Sequence, residues 1–168
     1  SARPVLWRVL DPLRLHYGLA DMPGPVARLA RLAAECTPVD AVLLTPPGFA
    51  AVRLVGPRAI VVDYKTYPFD DGGLQDWRRR LEACYGPLNP AAGDMHGQMA
   101  ANYRRLADAE RAGLARWFGA THVVLEADAP TAERVVGRTA EFKIVELAAA
   151  PADDSSLVAL GAGPRALE

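Results

Sequence analysis

An α/β fold is the fold class that this sequence predicts, on two observations. Apolar residues recur at helical spacing between Val26 and Ala34, with charged residues largely between them, which is typical of an amphipathic helix. A continuous apolar run at residues 41–44 follows and is closed by Pro46, which is typical of a strand buried on both faces. A helix next to a buried strand predicts helices packed on a sheet, and we expect a Rossmann-like three-layer sandwich with a mixed sheet.

The rest of the chain alternates between strand and helix patterns. In chain order we expect strands at residues 52–55 and 58–66, a helix at 74–84 and a mobile loop at 87–97. A long helix at 98–118, a strand at 123–126 and a closing hairpin at 135–147 follow. A short strand or entry segment is expected at residues 5–17, and residues 149–168 predict a flexible tail. The sequence therefore predicts a single α/β domain over residues 1–148.

Composition argues against several classes of function. The 168 residues include 19 basic and 20 acidic side chains, for a net charge of -1, so nucleic acid is not an expected partner. The two cysteines, Cys36 and Cys84, have neither CxxC spacing nor a nearby histidine cluster, so no metal site is predicted. Every apolar run is far shorter than the roughly 20 residues that span a bilayer, so we expect a soluble chain.

The sequence contains none of the common catalytic or cofactor motifs. It has no GxGxxG after a strand and no GxxxxGK[ST], HExxH or GxSxG, so no cofactor is predicted. His122 begins a buried-looking strand, which favours a structural role. His96 lies in the predicted loop beside Asp94, and Cys84 lies near a helix C-terminus, whose partial negative charge disfavours a thiolate. These last two residues are the candidates for catalysis if the chain is a small enzyme.

Seven charged or aromatic residues surround the second predicted strand and the segment after it. They are Arg53, Arg58, Asp63, Lys65, Asp70, Trp77 and Arg80. Asp63 and Lys65 are two residues apart, so we expect them on one face of the strand, where an unpaired buried charge would be costly. Ligands of open α/β sheets bind at the carboxyl ends of strands, which is where residues 65–71 are expected.

Two interpretations of these seven residues stay open. In the first, Arg53, Arg58, Asp63, Lys65 and Arg80 form a salt-bridge network that fastens the predicted hairpin to the next helix. In the second, Lys65 and the arginines bind an anionic or polyhydroxylated ligand and Asp70 acts as a hydrogen-bond acceptor.

The same residues are part of a longer pattern. It consists of a strand and loop from Thr37-Pro38-Val39-Asp40 to Pro46-Pro47, a core with Arg53, Arg58, Asp63, Lys65, Pro68, Asp70, Trp77 and Arg80, and a helix and strand from Leu114 to Val124. In this pattern the chain resembles, over roughly residues 37–125, a family of uncharacterised domains near the C-terminal end of multispanning bacterial membrane proteins. Some of those proteins are similar in layout to polytopic glycosyltransferases. Residues 87–97 and the tail depart from the family's pattern.

The resemblance implies a soluble terminal domain of a larger membrane protein, which would agree with a sequence that opens at Ser1. The membrane portion of that parent is then an expected partner, and an extracytoplasmic location is expected, whereas a stand-alone chain would be cytoplasmic. The resemblance implies no activity, because the family is itself uncharacterised.

Three functions are expected, in decreasing order. The first is a non-catalytic accessory domain that binds a polar or anionic ligand, such as a sugar or a lipid-linked phosphate, around Arg53, Lys65, Asp70 and Arg80. The second is a small enzyme that uses His96 or Cys84, with either side chain in a pocket near a carboxylate. The third is a structural or dimerisation module with an exposed apolar patch.

Overall fold

The structure, a computed structural model, describes residues 23–148. The predicted entry segment at 5–17 and the predicted tail at 149–168 therefore lie outside the described residues. Within the described range there are five α-helices, namely α1 Pro25–Cys36, α2 Ala51–Leu54, α3 Asp71–Tyr85, α4 Met95–Arg105 and α5 Asp108–Trp117, with a 3-10 turn at Pro90–Ala92. The same range contains five strands, namely β1 Val42–Leu44, β2 Ala59–Ile60, β3 His122–Glu126, β4 Arg134–Arg138 and β5 Phe142–Glu146.

The five described strands form one mixed sheet in the order β2-β1-β3-β5-β4. β1 pairs in parallel with both β2 and β3, and β5 pairs antiparallel with β3 and β4. From β1 the chain moves to β2 at one edge and then crosses back to β3 on the other side of β1. The predicted α/β class with a mixed sheet is confirmed, and so is the closing hairpin.

The core consists of two clusters that follow the alternation of side chains along the strands. Val123 and Leu125 of β3 belong to one cluster, together with residues of α3, α4 and α5. Val124 of β3 belongs to the other cluster, together with residues of α1 and α2. In β5, Val145 joins the first cluster and Ile144 the second.

Helix α1 forms where its apolar spacing predicts it. Pro25 lies in the first turn, where a missing N–H costs nothing, and the buried residues Leu29, Ala30 and Ala33 form one face. The helix ends at the extended residue Thr37, whose hydroxyl donates to the Ala33 carbonyl at 2.6 Å.

The strand predicted at residues 52–55 is wrong, because Ala51–Leu54 form helix α2. Ala51, Val52 and Val55 are buried and lie in the cluster that includes α1. Their spacing of one and four residues places them on one side of a helical turn, whereas a strand would send neighbouring residues to opposite faces.

The strand predicted at residues 58–66 is much shorter than expected, since β2 contains only Ala59 and Ile60. The chain turns at Asp63, whose carboxylate accepts from the Lys65 amide and from the Thr66 hydroxyl, each at 3.1 Å. Aspartate favours such turns because its short side chain bonds to the backbone two residues ahead. Asp63 and Lys65 therefore do not share the face of a strand.

The long helix predicted at residues 98–118 is also wrong, because it is two helices. Leu106 leaves the helical conformation, with φ -59° and ψ 125°. The Glu110 carboxylate accepts from the Ala107 amide at 3.0 Å, which stabilises the start of α5. The predicted loop at 87–97 in turn contains the 3-10 turn and the start of α4.

Candidate ligand-binding site

A cavity of about 380 Å³ lies beside the edge strand β2, and we call it the β2 cavity. Residues 59–62 form one wall, and the turn after β2 and helix α3 form the others. Four of the seven predicted site residues line it, namely Arg53, Asp63, Trp77 and Arg80. The structure therefore brings four of the seven residues together at one cavity.

Asp63 is the most enclosed charged group of the β2 cavity. Its side chain is only 6% exposed, and its nearest cation is Arg53, at 3.6 Å between Nη1 and Oδ2. The Asp63 carbonyl accepts from the indole N–H of Trp77 at 2.8 Å. This bond joins the turn to α3, so the position of the Trp77 ring depends on the backbone of the turn.

Asp76 holds the arginines on the α3 wall of the cavity. Its carboxylate accepts from Arg80 Nε at 2.7 Å and from Arg79 Nη2 at 2.6 Å. The hydrogen bond from Arg80 is the main cause that lowers the pKa of Asp76, desolvation opposes it in part, and the hydrogen bond from Arg79 lowers the pKa further. The Arg80 guanidinium also lies over the Phe118 ring, 5.3 Å from its centroid.

An aromatic group lies next to the cavity. Tyr67 is 54% exposed and Phe69 is 99% exposed, and their ring centroids are 6.0 Å apart. Tyr67 is also 6.0 Å from Trp77, which lines the cavity. Two large apolar rings thus face solvent beside a polar cavity.

Arg58 has a different role from the one predicted. It does not line the cavity and is 8% exposed, at the end of α1. It donates to the carbonyls of Ala34 and Thr37, both at 2.8 Å, and to the Thr37 hydroxyl at 3.0 Å. Carbonyls at a helix C-terminus lack intrahelical donors and carry partial negative charge, which a guanidinium satisfies. Arg58 is therefore a structural cap.

Lys65 and Asp70 also lie outside the lining of the β2 cavity. The Lys65 ammonium lies 5.5 Å from the centroid of the Tyr64 ring. Asp70 is the N-cap of α3, where its carboxylate accepts from the Gly73 amide at 2.7 Å. A cap of this kind begins the helix that carries Trp77 and Arg80.

The predicted five-residue salt-bridge network does not form in the described residues. Arg53 pairs with Asp63, Arg80 pairs with Asp76, and Arg58 bonds to backbone carbonyls and a hydroxyl. The network presupposed a hairpin, and helix α2 stands in its place.

Asp76 and Thr66 are the polar cavity residues that the sequence interpretation missed. The signal for Asp76 was its position four residues before Arg80 on a predicted helix, which is the spacing of a helical ion pair. Thr66 lies where the sequence predicted strand rather than turn.

The two residues proposed for catalysis differ in their surroundings. Cys84 is completely buried, and burial raises the pKa of its thiol to about 12, so it has no thiolate character at neutral pH. His96 is exposed and lines a second cavity together with Glu126, without a hydrogen bond to a carboxylate among the described contacts.

Two further observations concern metals and membranes. Within residues 23–148, no three histidine, cysteine or acidic side chains come together in a way that could hold a metal ion. No helix in the part of the chain that the structure describes is long and apolar enough to cross a membrane.

The fold and the site thus define an α/β domain with a mixed-charge cavity beside its edge strand. Residues 25–84 match the model of a family described as a domain of unknown function, DUF6798. The match runs from α1 into α3 and includes all seven predicted site residues. No curated protein and no solved structure matches the chain. The expected similarity to a domain of unknown function is confirmed, and the expected membrane-protein context stays a prediction.

Proposed function

We propose that this chain is a non-catalytic binding domain whose ligand is a sugar or a phosphate-bearing sugar, bound in the β2 cavity. The observation that carries the proposal is the lining of that cavity, which brings Asp63, Asp76, Arg53 and Arg80 together with the Trp77 ring. Sugar hydroxyls both donate and accept hydrogen bonds, so a wall with carboxylates and guanidinium groups suits them. A simple cation or anion would meet like charge on part of this wall.

The aromatic rings support a sugar in particular. The C–H groups of a sugar ring carry slight positive charge and pack against the negative face of an aromatic ring. Trp77 lines the cavity, and the exposed rings of Tyr67 and Phe69 extend from it. A ligand with two sugar units could therefore place one unit in the cavity and pack the second against these rings.

Arg53 is the group best placed to bind a phosphate or an acidic sugar. Its side chain is 47% exposed, and its contact with Asp63, at 3.6 Å, is too long for a hydrogen bond. A ligand oxygen can take up these donors without breaking a strong interaction, and a guanidinium binds phosphate with two parallel hydrogen bonds.

Isothermal titration calorimetry tests this proposal, with monosaccharides, nucleotide sugars and inorganic phosphate as separate titrants. We expect saturable binding of at least one sugar-bearing titrant, and at least about tenfold weaker binding by Arg53→Ala. The matched control is Arg28→Ala, since Arg28 is 51% exposed and is also paired with a carboxylate, that of Glu141. Arg28→Ala should bind normally. Equal weakening in both variants, or no binding by the unaltered chain, would contradict the proposal.

We further propose that the fold is a Rossmann-like three-layer sandwich. The division of the core supports this, since Val124 packs with residues of α1 and α2 while Val123 and Leu125 pack with residues of α3, α4 and α5. A crystal structure with all five helices on one face of the sheet would contradict it.

We also propose that the domain belongs to a larger bacterial membrane protein and lies outside the cytoplasm. The support is the resemblance over residues 37–125, and the matching family is itself a domain of unknown function. An antibody against this chain should detect the natural protein in carbonate-washed membranes, and protease added to spheroplasts should remove the epitope. Detection in the soluble cytoplasmic fraction alone would contradict the proposal.

A second candidate function is self-association through the groove between α3 and α5. This groove, of about 500 Å³, is lined by the apolar side chains of Leu114, Trp117 and Phe118, and Trp117 is 60% exposed. Arg78 and Glu82 also line it and pair with each other at 2.8 Å, and in a two-fold dimer each could exchange this partner for the one on the other copy. Sedimentation over a concentration series should show a dimer that Trp117→Ser disrupts. A monomer at every concentration would eliminate this candidate.

A further inference from the structure

The strand order creates a second place where a ligand can bind. From β1 the chain goes to β2 on one side, and β3 then pairs with β1 on the other side. At such a reversal the connections diverge and leave a crevice outside the carboxyl ends of the two neighbouring parallel strands. Here those ends are Leu44 of β1 and Glu126 of β3.

A cavity of about 200 Å³ lies at this point, and we call it the switch-point cavity. It is separate from the β2 cavity, because the two have no lining residue in common. Most of its walls are apolar or aromatic, formed by Pro46, Pro47, Phe49, Tyr103, Leu125 and Phe142. Binding pockets commonly combine such walls with a few placed polar groups.

Arg111 supplies the polar group that distinguishes this cavity. Its side chain is 8% exposed and lines the cavity, and its Nε has no hydrogen-bond partner among the described residues. Its other nitrogens donate to Asp108 at 3.0 Å and to the carbonyls of Leu106 at 2.7 Å and Tyr103 at 3.2 Å. A buried guanidinium in the wall of a cavity favours a ligand that carries a hydrogen-bond acceptor.

The charge around Arg111 favours an anionic acceptor. Its ion-pair partner Asp108 is 45% exposed, so solvent screens much of that carboxylate's charge. The guanidinium itself is enclosed, where an electrostatic interaction is stronger than in water. Arg111 also lines a void of about 10 Å³, which has room for one water at most, so an organic ligand fits only the larger cavity.

The rim of the cavity adds two polar features. Arg104 donates to Glu126 at 2.7 Å, and this pair is well exposed, at 62% and 45%. His96 also lines the rim, and its Nε2 would lie 3.0 Å from a Cβ added at Gly48, so the loop after β1 approaches the imidazole closely. The rim thus carries an exposed guanidinium paired with an exposed carboxylate near the entrance, while most of the walls inside are apolar.

We propose that the switch-point cavity binds a small organic carboxylate with an apolar body, whose carboxylate is attracted by the enclosed guanidinium of Arg111. The apolar walls suit a body about the size of one aromatic ring. Phe49 and Phe142, whose ring centroids are 5.0 Å apart and whose planes make an angle of 81°, both line the cavity. This inference is independent of the sugar proposed for the β2 cavity.

Ligand-observed NMR with benzoate as the probe tests the inference, with benzyl alcohol as the neutral counterpart. We expect saturable binding of benzoate with a Kd of about 1 mM or tighter, and at least about tenfold weaker binding of benzyl alcohol. Ala100 lines the cavity on α4, so Ala100→Leu should fill it and weaken benzoate binding at least about tenfold. Ala109→Leu, at an exposed position on α5, is the matched control and should bind normally.

Three outcomes would overturn the inference. They are the absence of saturable benzoate binding, equal binding of benzyl alcohol, and undiminished benzoate binding by Ala100→Leu. Arg53→Ala separates the two sites, because it should weaken the sugar and leave benzoate binding unchanged. If benzoate binds and no sugar does, only the β2 cavity proposal fails.

Discussion

Arg53 and Arg58 are five residues apart, yet one borders an open cavity and the other is sealed into the core. Arg58 donates to the Ala34 carbonyl and to two oxygens of Thr37, where α1 ends. Within residues 23–148, Arg53 has one ion pair, with Asp63 at 3.6 Å, and its side chain is 47% exposed. The acceptors that a fold brings to an arginine therefore decide its role, because both side chains offer the same five donors.

The largest expected difference is in stability. Arg58→Ala leaves two helix-end carbonyls and a hydroxyl without their donor in a buried place, so we expect it to lower the free energy of unfolding by about 3 kcal/mol. Arg53→Ala should change it by about 0.5 kcal/mol or less, because exposed ion pairs contribute little. Urea denaturation followed by circular dichroism measures both. Similar losses in the free energy of unfolding of the two variants would contradict the expected difference between the two arginines.

The backbone beside Arg58 should be almost as sensitive. A Cβ added at Gly56 would lie 2.2 Å from the Ala30 carbonyl oxygen, so Gly56→Ala must push α2 away from α1. We expect a loss of about 2 kcal/mol in the free energy of unfolding. The control is Gly113→Ala in α5, where an added Cβ meets nothing within 4 Å and alanine should stabilise by about 0.5 kcal/mol. Equal effects at the two glycines would show that the close approach is not rigid.

The core near Arg58 and the β2 cavity should also lose stability at different pH values. The change nearer to neutral pH involves His122 of β3. Burial lowers the pKa of His122, Glu146 raises it in part, and the charges of Arg134 and Arg58 lower it further. The folded protein then binds this proton less readily than the unfolded chain, whose histidine pKa is about 6.5. The stability from neutral His122 is complete above that value and is lost as the pH falls below it toward the folded pKa.

Urea denaturation at about pH 7.5 and pH 5.5 should therefore show a lower free energy of unfolding at the acid value. In His122→Gln this dependence should be clearly smaller. His96→Gln is the control, since His96 is exposed, and it should keep the dependence of the unaltered protein. An unchanged dependence in His122→Gln would contradict the assignment.

The smallest expected effect is a change in the free energy of unfolding at acid pH, and it comes from Asp76 in the β2 cavity. Because hydrogen bonds from Arg80 and Arg79 lower the pKa of Asp76, its contribution is complete above the unfolded value of about 3.9 and is lost as the pH falls through the lower folded pKa. Asp76 is 40% exposed, so this contribution is about 0.5 kcal/mol. Between about pH 5 and pH 3, Asp76→Asn should lose correspondingly less stability than the unaltered protein. An identical loss would mean that the cavity's ion pairs are fully screened.

The site could be predicted from the sequence only in part, and the reason lies in sequence distance. Arg53, Asp63, Trp77 and Arg80 share one cavity because a turn and a helix follow β2 directly. The role of Arg58 was not accessible, because its acceptors Ala34 and Thr37 lie 24 and 21 residues away.

Several elements are specified by local signals in the sequence. Apolar spacing and a first-turn proline specify α1, apolar runs specify β1 and β3, and the strand pattern at residues 135–147 specifies the β4–β5 hairpin. These signals depend on neighbouring residues and on the helix and strand periods.

Contacts between distant parts of the chain determine how the ambiguous segments fold and which polar groups meet. Residues 51–54 became helical because that conformation turns Ala51 and Val52 toward α1, a contact between separate elements. The switch-point cavity likewise depends on β3 pairing with β1 rather than β2, a choice between strands far apart in sequence. Burial against distant partners outweighs local propensity, because packing supplies more free energy than the preferences of single residues.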